Sequence, residues 1–166
     1  FAAPDQLTVN TPEGTQTLSF GDCIIAAGSQ SVELPGIPHD DPRVIDSTGA
    51  LLLEDVPDRM LVVGGGIIGL EMATVYDALG SKISVVELTD ELIPGCDRDL
   101  VKPLQKRIAK RYENIWLGTR VARVEAQSDG LHAFFEGGDA PESERFDRVL
   151  VAVGRRPNGN EINAGK

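Results

Sequence analysis

The chain has 166 residues, enough for one domain of ordinary size and part of a neighbour. Apolar residues make up 41% and charged residues 25% of it, which is typical of globular proteins and excludes disordered or fibrous ones. The net charge of −10 comes without a basic cluster, so we expect small molecules or proteins as partners and no nucleic acid. No apolar run approaches the roughly 20 residues of a membrane span, so no membrane association is predicted.

The two ends of the chain and its cysteines carry little functional signal. The first residues lack a basic region followed by an apolar core, so no signal peptide is predicted, and the chain starts without Met, so we expect it to begin within a longer protein. Cys23 and Cys96 are too far apart to suggest a disulfide framework or a metal site, and we interpret both as structural thiols. A reduced, cytoplasmic setting is the simplest interpretation.

The N-terminal residues are predicted to be β structure. Residues 7–9 and 15–20 lie on either side of turn-forming residues, which favours an antiparallel hairpin. Residues 23–28 form a continuous apolar run, typical of a strand that is covered on both faces. Residues 30–57 are rich in proline at first and lack periodicity, so we predict a linker that ends in a short helix capped by Ser47.

The most informative stretch follows. Residues 60–63 are a buried-strand run, 64–66 are three glycines typical of a tight turn, and 67–79 have helical periodicity that Gly80 ends. Residues 82–87 then predict a second strand. Strand, turn, helix and strand in this order indicate a βαβ unit of a parallel sheet.

The rest of the chain completes an α/β pattern. An amphipathic helix is predicted over 97–112, with a kink or a late start at Pro103. Residues 121–126 and 131–136 predict a hairpin around an Asp-Gly turn, and 149–153 a final buried strand. We therefore predict a Rossmann-like α/β domain with a parallel sheet and an inserted antiparallel β-meander.

Three glycines have the spacing of a dinucleotide-binding loop. Gly64-x-Gly66-x-x-Gly69 follows a predicted strand and opens a predicted helix, and Glu87 ends the next strand. In such loops the first glycine permits the turn, the second lets the backbone approach a pyrophosphate, and the third lets the helix pack on the strand. The acidic residue accepts hydrogen bonds from the ribose hydroxyls. The alternative is a glycine-rich turn that binds nothing.

Glu87 also bears on which cofactor the loop takes. A carboxylate repels a 2′-phosphate, and sites for NADP place Arg nearby instead. Residues 88–91 add two more acids and no base. The sequence therefore favours NAD(H) over NADP(H).

Several segments together resemble one family, the pyridine nucleotide–disulfide oxidoreductases, and within it the dihydrolipoamide dehydrogenases. Residues 61–71 (LVVGGGIIGLE) resemble the family's NAD loop, and 85–87 with 92–97 resemble the next strand and loop. Residues 23–29 resemble the flavin-domain segment before the NAD domain, and 151–158 the segment after it. The resemblance implies a flavoenzyme that moves two electrons from dihydrolipoamide through a redox disulfide and FAD to NAD+.

The resemblance also implies roles for individual residues. Positions toward NAD are Gly64, Gly65, Gly66, Ile67, Ile68, Gly69, Glu71, Glu87, Val121 and Gly154, and positions at the edge of the FAD site are Ala27, Gly28 and Ser29. The family usually has Thr where Ala27 stands, so one hydroxyl contact is missing there. The implied domains are a flavin-domain segment (1–29), linker and short helix (30–57), an NAD-binding domain (58–158) and the start of a return to the flavin domain (159–166).

The resemblance places the family's catalytic groups outside this stretch. Its flavin loop and redox cysteine pair would precede Phe1, and its catalytic His–Glu pair would follow Lys166. We therefore expect this chain to bind NAD(H), to retain no FAD and to catalyse nothing alone, with no catalytic or metal-binding residue of its own. We expect it to be a monomer, or to associate through non-native contacts. The resemblance implies a parent enzyme that is a homodimer serving a 2-oxoacid dehydrogenase complex.

Two alternatives stay open at this point. The same domain could come from another flavin disulfide reductase, such as mercuric reductase or a soluble transhydrogenase, because the segments that distinguish them are not in this sequence. The chain could also be a non-enzymatic NAD-binding module. The predicted N-terminal β segment argues against that, since an orphan edge of a second sheet invites aggregation.

Overall fold

The computed structural model describes residues 1–163. The strands are β1 (Gln6–Thr11), β2 (Gly14–Ser19), β3 (Ser29–Ser31), β4 (Val44–Ile45), β5 (Arg59–Val63), β6 (Lys82–Val86), β7 (Asn114–Trp116), β8 (Thr119–Gln127), β9 (Gly130–Gly137), β10 (Ser143–Phe146), β11 (Arg148–Val151) and β12 (Arg155–Pro157). The helices are α1 (Ser47–Leu52), α2 (Ile67–Leu79), α3 (Arg98–Ile108) and a 3₁₀ turn, Asn158–Glu161.

The residues fall into two compact units. One contains Phe1–Gln30 and the segment that begins at Arg155, and the other contains Ser31–Gly154. The last part of the predicted return to a flavin domain, 164–166, lies outside the described residues. Within the first unit, β1 and β2 form the predicted antiparallel hairpin, and β3 pairs with β12.

The larger unit is built on a five-stranded parallel sheet of order β4-β11-β5-β6-β7. Helix α2 connects β5 to β6 and helix α3 connects β6 to β7, as βαβ crossovers require. The antiparallel meander β8-β9-β10 is inserted before β11. The predicted α/β fold with a parallel sheet and an antiparallel insertion is confirmed.

The central strand β5 shows why the sheet is buried on both faces. Successive side chains of a strand point to opposite faces. Leu61 and Val63 lie in a core cluster with residues of the meander, whereas Met60 and Val62 lie in a second cluster with α2 and α3. Because both faces of β5 are covered, the side chains on both faces are apolar, and the strand is a continuous apolar run.

The structure corrects the prediction for residues 23–28. No strand forms there within residues 1–163, and the side chains of Ile24 and Ile25 are 94% and 57% exposed. The apolar run indicates burial, but no described strand lies beside it to form a ladder. Cys23 is likewise exposed, whereas Cys96 is half-buried against the α2–α3 core cluster, and the interpretation of both as structural thiols stays a prediction.

The segment predicted as linker and short helix contributes more than a connection. Val44–Ile45 forms the edge strand β4 of the parallel sheet, a strand too short to leave a sequence pattern. The short helix forms, but its cap is Asp46, whose carboxylate accepts a hydrogen bond of 2.9 Å from the Gly49 N–H, and not Ser47.

Of the kink or late start predicted at Pro103, the late start is wrong. Helix α3 begins at Arg98, after Asp97, and contains the proline. Proline lacks the N–H that would bond to the carbonyl of Asp99, four residues earlier. Asp99 is exposed, so water can take the place of that donor.

An ion pair at the start of the larger unit should make its stability depend on pH. Arg43 Nε and Nη2 donate to the two oxygens of Asp41 at 2.9 and 2.7 Å, and Nη1 donates to the Gln127 carbonyl at 2.9 Å. These side-chain bonds, with help from the Arg43 backbone N–H, lower the pKa of Asp41 from 3.8 to about 2. Because the folded pKa lies below the unfolded one, the stabilisation is present above pH 4 and is lost as the pH falls through about 2.

We therefore expect Asp41→Asn to reduce the free energy of unfolding at pH 7 by up to about 2 kcal/mol, and by much less at pH 2. Urea denaturation at the two pH values measures this. Asp40→Asn, next to it and exposed, is the matched control and should change neither value. An equal loss for Asp41→Asn at both pH values would contradict the expectation.

Candidate dinucleotide-binding site

The glycine-rich segment forms a tight turn between β5 and α2. Gly64 has φ +109°, and a Cβ there would lie 2.4 Å from the carbonyl oxygen of Ala152. A Cβ on Gly69 would lie 2.2 Å from the carbonyl oxygen of Gly64 and 3.2 Å from Val62 Cγ1. Only glycine fits at these two positions, because the turn is pressed between the end of β11 and the first turn of α2.

Gly66 is different, since its α-carbon faces open space. It caps α2 with φ −79°, no side chain provides a cap, and a Cβ there would meet nothing within 4 Å. The N–H groups of Ile67, Ile68 and Gly69 receive no hydrogen-bond acceptor from residues 1–163. An open backbone, unpaired N–H groups and the positive end of the helix dipole together suit an anionic group such as a pyrophosphate.

The carboxylate of Glu87 lies against this turn. It follows β6, and its Oε2 accepts a hydrogen bond of 2.7 Å from the Gly65 N–H. Its Oε1 accepts two more from Thr89, at 2.8 Å from the backbone N–H and 2.9 Å from the hydroxyl. The spacing in the sequence predicts Glu87 beside the turn, but not that the turn itself holds the carboxylate.

The loop after Glu87 closes over the middle glycine. Ile93 N–H donates to the Gly65 carbonyl at 2.9 Å, and a Cβ on Gly65 would lie 2.6 Å from Leu92 Cδ2. Arg98 holds this loop by donating to the carbonyl oxygens of Leu92, Ile93 and Cys96 at 2.8 to 3.1 Å. Ile93 has φ +48°, a backbone conformation that β-branched residues rarely adopt. The hydrogen bonds from Ile93 and Arg98 thus hold the loop against the turn.

The remaining positions predicted to face NAD lie on α2, on β8 and after β11. Glu71 is exposed on the first turns of α2, and Val121 is half-buried in β8 opposite Phe135. Gly154 is exposed with φ +131°, and its carbonyl accepts a hydrogen bond of 3.0 Å from the Val32 N–H. The hydrogen bonds described for residues 1–163 link none of Glu71, Val121 and Gly154 to the turn, so their roles toward NAD stay predictions.

The three positions predicted at a flavin edge lie in the smaller unit. The carbonyls of Ala27 and Gly28 accept hydrogen bonds of 3.0 Å from the side chain and backbone of Asn158. The Arg155 guanidinium donates to the hydroxyl and carbonyl of Ser29 at 2.8 and 2.7 Å. The segments around 27 and 157 that resemble the family are thus joined to one another, and their role toward FAD stays a prediction.

Both acidic and basic residues lie on the segments next to Glu87, and on the loop after it Glu91 pairs with Arg98 at 3.2 Å. Leu88 and Asp90 are exposed, and the fold brings the start of β8 beside them, since the Thr119 N–H donates to the Glu87 carbonyl at 2.9 Å. The next residue, Arg120, is a base that the local sequence did not place here, but its guanidinium pairs with Glu136 at 3.0 Å.

The part of the chain that the structure describes contains neither a metal site nor a membrane-spanning helix. No group of three or more His, Cys, Asp or Glu residues is arranged to hold a metal ion there. None of the helices within residues 1–163 is long and apolar enough to cross a membrane.

Comparison with known proteins identifies the family. The family model described as pyridine nucleotide-disulphide oxidoreductase matches residues 2–166. The chain belongs to this family. Among curated members, the dihydrolipoyl dehydrogenase of Vibrio cholerae serotype O1 is 52% identical over all of this chain, and dihydrolipoyl dehydrogenase 3 of Pseudomonas putida is 42% identical over 95% of it. The chain covers 35% and 34% of these relatives, about a third of their length.

Solved structures of other oxidoreductases share the fold. The HOCl-induced flavoprotein disulfide reductase RclA of Escherichia coli matches 98% of this chain with a TM-score of 0.84 and 28% identity, and the chain covers 36% of it. The water-forming NADH oxidase of Lactobacillus brevis, solved with NADH, matches 98% with a TM-score of 0.82 but only 22% identity, and the chain covers 38% of it. The resemblance noted in the sequence is thereby confirmed for the family.

Proposed function

We propose that the chain is the NAD(H)-binding domain of a flavin-dependent dihydrolipoamide dehydrogenase. The observation that carries this proposal is the joint geometry of the turn and Glu87. An open, unpaired helix N-terminus for a pyrophosphate lies next to a carboxylate that is fixed for a ribose. A glycine-rich turn that binds nothing would not need both an unpaired helix N-terminus and a fixed carboxylate beside it.

The turn would hold the negatively charged middle of the dinucleotide. The N–H groups of Ile67, Ile68 and Gly69 point out of the helix start, and Gly66 has no side chain to block the approach. Gly65 contributes differently, because its N–H already donates to Glu87. Its part is to align the carboxylate, not to bind phosphate.

Glu87 would bind the adenosine ribose and set the preference for NAD(H). A carboxylate has about four acceptor positions, and three are used by Gly65 and Thr89. The remaining position can accept a ribose hydroxyl. All three internal donors are neutral groups, so the negative charge is left to repel a 2′-phosphate. The two bases on the neighbouring segments, Arg98 and Arg120, are paired with Glu91 and Glu136.

The whole protein's activity is inferred from the curated relatives. Those 49–52% identical to this chain are named dihydrolipoyl dehydrogenase, which supports oxidation of dihydrolipoamide with NAD+ as acceptor. When bound, NAD+ supplies the chemistry by accepting a hydride, and the residues of this chain position it. Ala27, Gly28 and Ser29 would contribute to an FAD site of the whole protein. From the family resemblance noted in the sequence, the parent protein would be a homodimer that serves a 2-oxoacid dehydrogenase complex in the cytoplasm.

A second candidate is another flavin disulfide reductase of this family. The similarity to the E. coli reductase favours it, at 28% identity and a TM-score of 0.84. The dihydrolipoyl dehydrogenases are more similar in sequence, at 52% identity over the full chain. Reduction of the parent flavoprotein by dihydrolipoamide, followed by its absorbance spectrum, separates the two.

Calorimetric titration of the chain with NAD+ and with NADP+ tests the domain's role. We expect NAD+ to bind more tightly, and Glu87→Gln to weaken NAD+ binding by about 10-fold while narrowing the gap to NADP+, since it removes the charge. Glu54→Gln removes an exposed carboxylate elsewhere and should change neither affinity. Equal binding of the two nucleotides by the unsubstituted chain would contradict the role of Glu87, and no binding of either would contradict the domain's role.

A further inference from the structure

We propose that Thr89 is a positioning residue that determines nucleotide preference by fixing the carboxylate of Glu87. The inference rests on the proposed function, because it assumes that Glu87 faces a ribose. Thr89 belongs to no sequence motif, and the spacing of the glycines and Glu87 does not indicate its role.

Within residues 1–163, Thr89 supplies two of the three hydrogen bonds that the Glu87 carboxylate accepts. Its backbone N–H lies 2.8 Å and its Oγ1 2.9 Å from Oε1, and Gly65 holds the other oxygen at 2.7 Å. The hydroxyl also lies 2.9 Å from the Glu91 carbonyl oxygen. It has one hydrogen, and the carboxylate is the stronger acceptor of the two.

The backbone of Glu87 and Thr89 is itself held by hydrogen bonds. The carbonyl of Thr89 accepts a hydrogen bond of 2.8 Å from the Gly118 N–H, and the carbonyl of Glu87 accepts one of 2.9 Å from the Thr119 N–H. The Glu87 N–H in turn donates to the Trp116 carbonyl at 2.8 Å. Backbone bonds to the β7–β8 connection therefore hold both residues in place, and the hydroxyl is presented at a set position.

A fixed carboxylate discriminates better than a free one. A glutamate side chain has three rotatable bonds, and ordering it on binding costs free energy. Held from both oxygens, Glu87 has that ordering complete before a nucleotide arrives, which favours a ribose. Held in this way, it also cannot turn aside from a 2′-phosphate, which disfavours NADP+.

The test is calorimetric titration of the chain and its Thr89 variants with NAD+ and NADP+. Thr89→Val keeps the branched shape and the backbone N–H but removes the hydroxyl, and we expect NAD+ binding to weaken about 5-fold with a smaller difference from NADP+. Thr89→Ser keeps the hydroxyl and should restore the NAD+ affinity and its difference from the NADP+ affinity. Thr48→Val makes the same change on an exposed residue of α1 and should have no effect.

Introducing Thr89→Val into the Glu87→Gln variant distinguishes a positioning role of Thr89 from a purely structural one. If Thr89 acts through Glu87, Thr89→Val added to Glu87→Gln should weaken NAD+ binding less than it does alone. Equal weakening of NAD+ and NADP+, of the same size in both backgrounds, would overturn the inference, as would unchanged binding by Thr89→Val. Failure of the unsubstituted chain to bind NAD+ would overturn the proposed function and this inference with it.

Discussion

Replacing Gly69 with alanine is expected to lower the free energy of unfolding of the chain by about 3 kcal/mol. A Cβ at this position would lie 2.2 Å from the carbonyl oxygen of Gly64, and a backbone atom in a tight turn cannot rotate away as a side chain could. Val62 Cγ1, at 3.2 Å, closes the other side. Alanine favours a helix over glycine by only about 1 kcal/mol, so the clash decides the sign.

Urea denaturation followed by circular dichroism measures this loss. Gly66→Ala is the matched control, because it makes the same change three residues earlier in the same turn, where a Cβ meets nothing within 4 Å. We expect the control to lose less than about 1 kcal/mol, since its φ of −79° suits alanine and only the helix cap is affected. A midpoint for Gly69→Ala equal to that of the unsubstituted chain would show that α2 can move away from β5.

The same Gly66→Ala variant is expected to lose NAD+ binding while it stays folded. Its Cβ would project into the space where a pyrophosphate must come close to the free N–H groups of α2. We expect at least a 30-fold weaker affinity, or about 2 kcal/mol, because the phosphates would be held away from those donors.

Calorimetric titration with NAD+ measures the affinity, and the unfolding curve of the same sample shows that the fold is intact. Gly21→Ala serves as the matched control, because Gly21 also faces open space but lies in the other compact unit. It should bind NAD+ as the unsubstituted chain does. Unchanged NAD+ affinity in Gly66→Ala would mean that the open face of the turn is not where a dinucleotide approaches.

Elements with local signals could be predicted from the sequence. Helix α2 ends where predicted, because Gly80 adopts φ +114° and closes the helix with its own N–H. The β8–β9 hairpin turns at Gly130, where φ is +155°. In each case one residue type and its neighbours are enough to fix the backbone, so no distant partner has to be known.

Features that depend on distant partners could not be predicted. The apolar run containing Ile24 and Ile25 indicates burial, yet a run cannot say which strand lies beside it, and in the described residues none does. Strand β4 has two residues and exists because β11 runs beside it. Asp46 and Ser47 are both capping residues, and only the backbone geometry at Asp46 decides between them.

The candidate site divides in the same way. The placement of Glu87 beside the glycine turn was predictable, because the glycine spacing and the strand length fix it. The residues that hold Glu87 and the neighbouring loop in place were not predictable. Thr89 and Arg98 act through hydrogen bonds to a carboxylate and to loop carbonyls, and their spacing in the sequence matches no recurrent motif. A side-chain rotamer and a loop path have to be known before either role can be recognised.

The bond between the Gly65 N–H and Glu87 has a consequence for redesigning the cofactor preference. Gly65 is buried, so its N–H has no ready access to water when the carboxylate is removed. An unpaired buried N–H costs on the order of 1–3 kcal/mol. Arginine, the residue type that accommodates a 2′-phosphate, brings five donors and no acceptor. An exchange of Glu87 alone is therefore expected to destabilise the glycine turn as well as change the proposed ribose contact. Conversion of the proposed site to NADP(H) would have to supply a new acceptor for the Gly65 N–H from elsewhere in the loop.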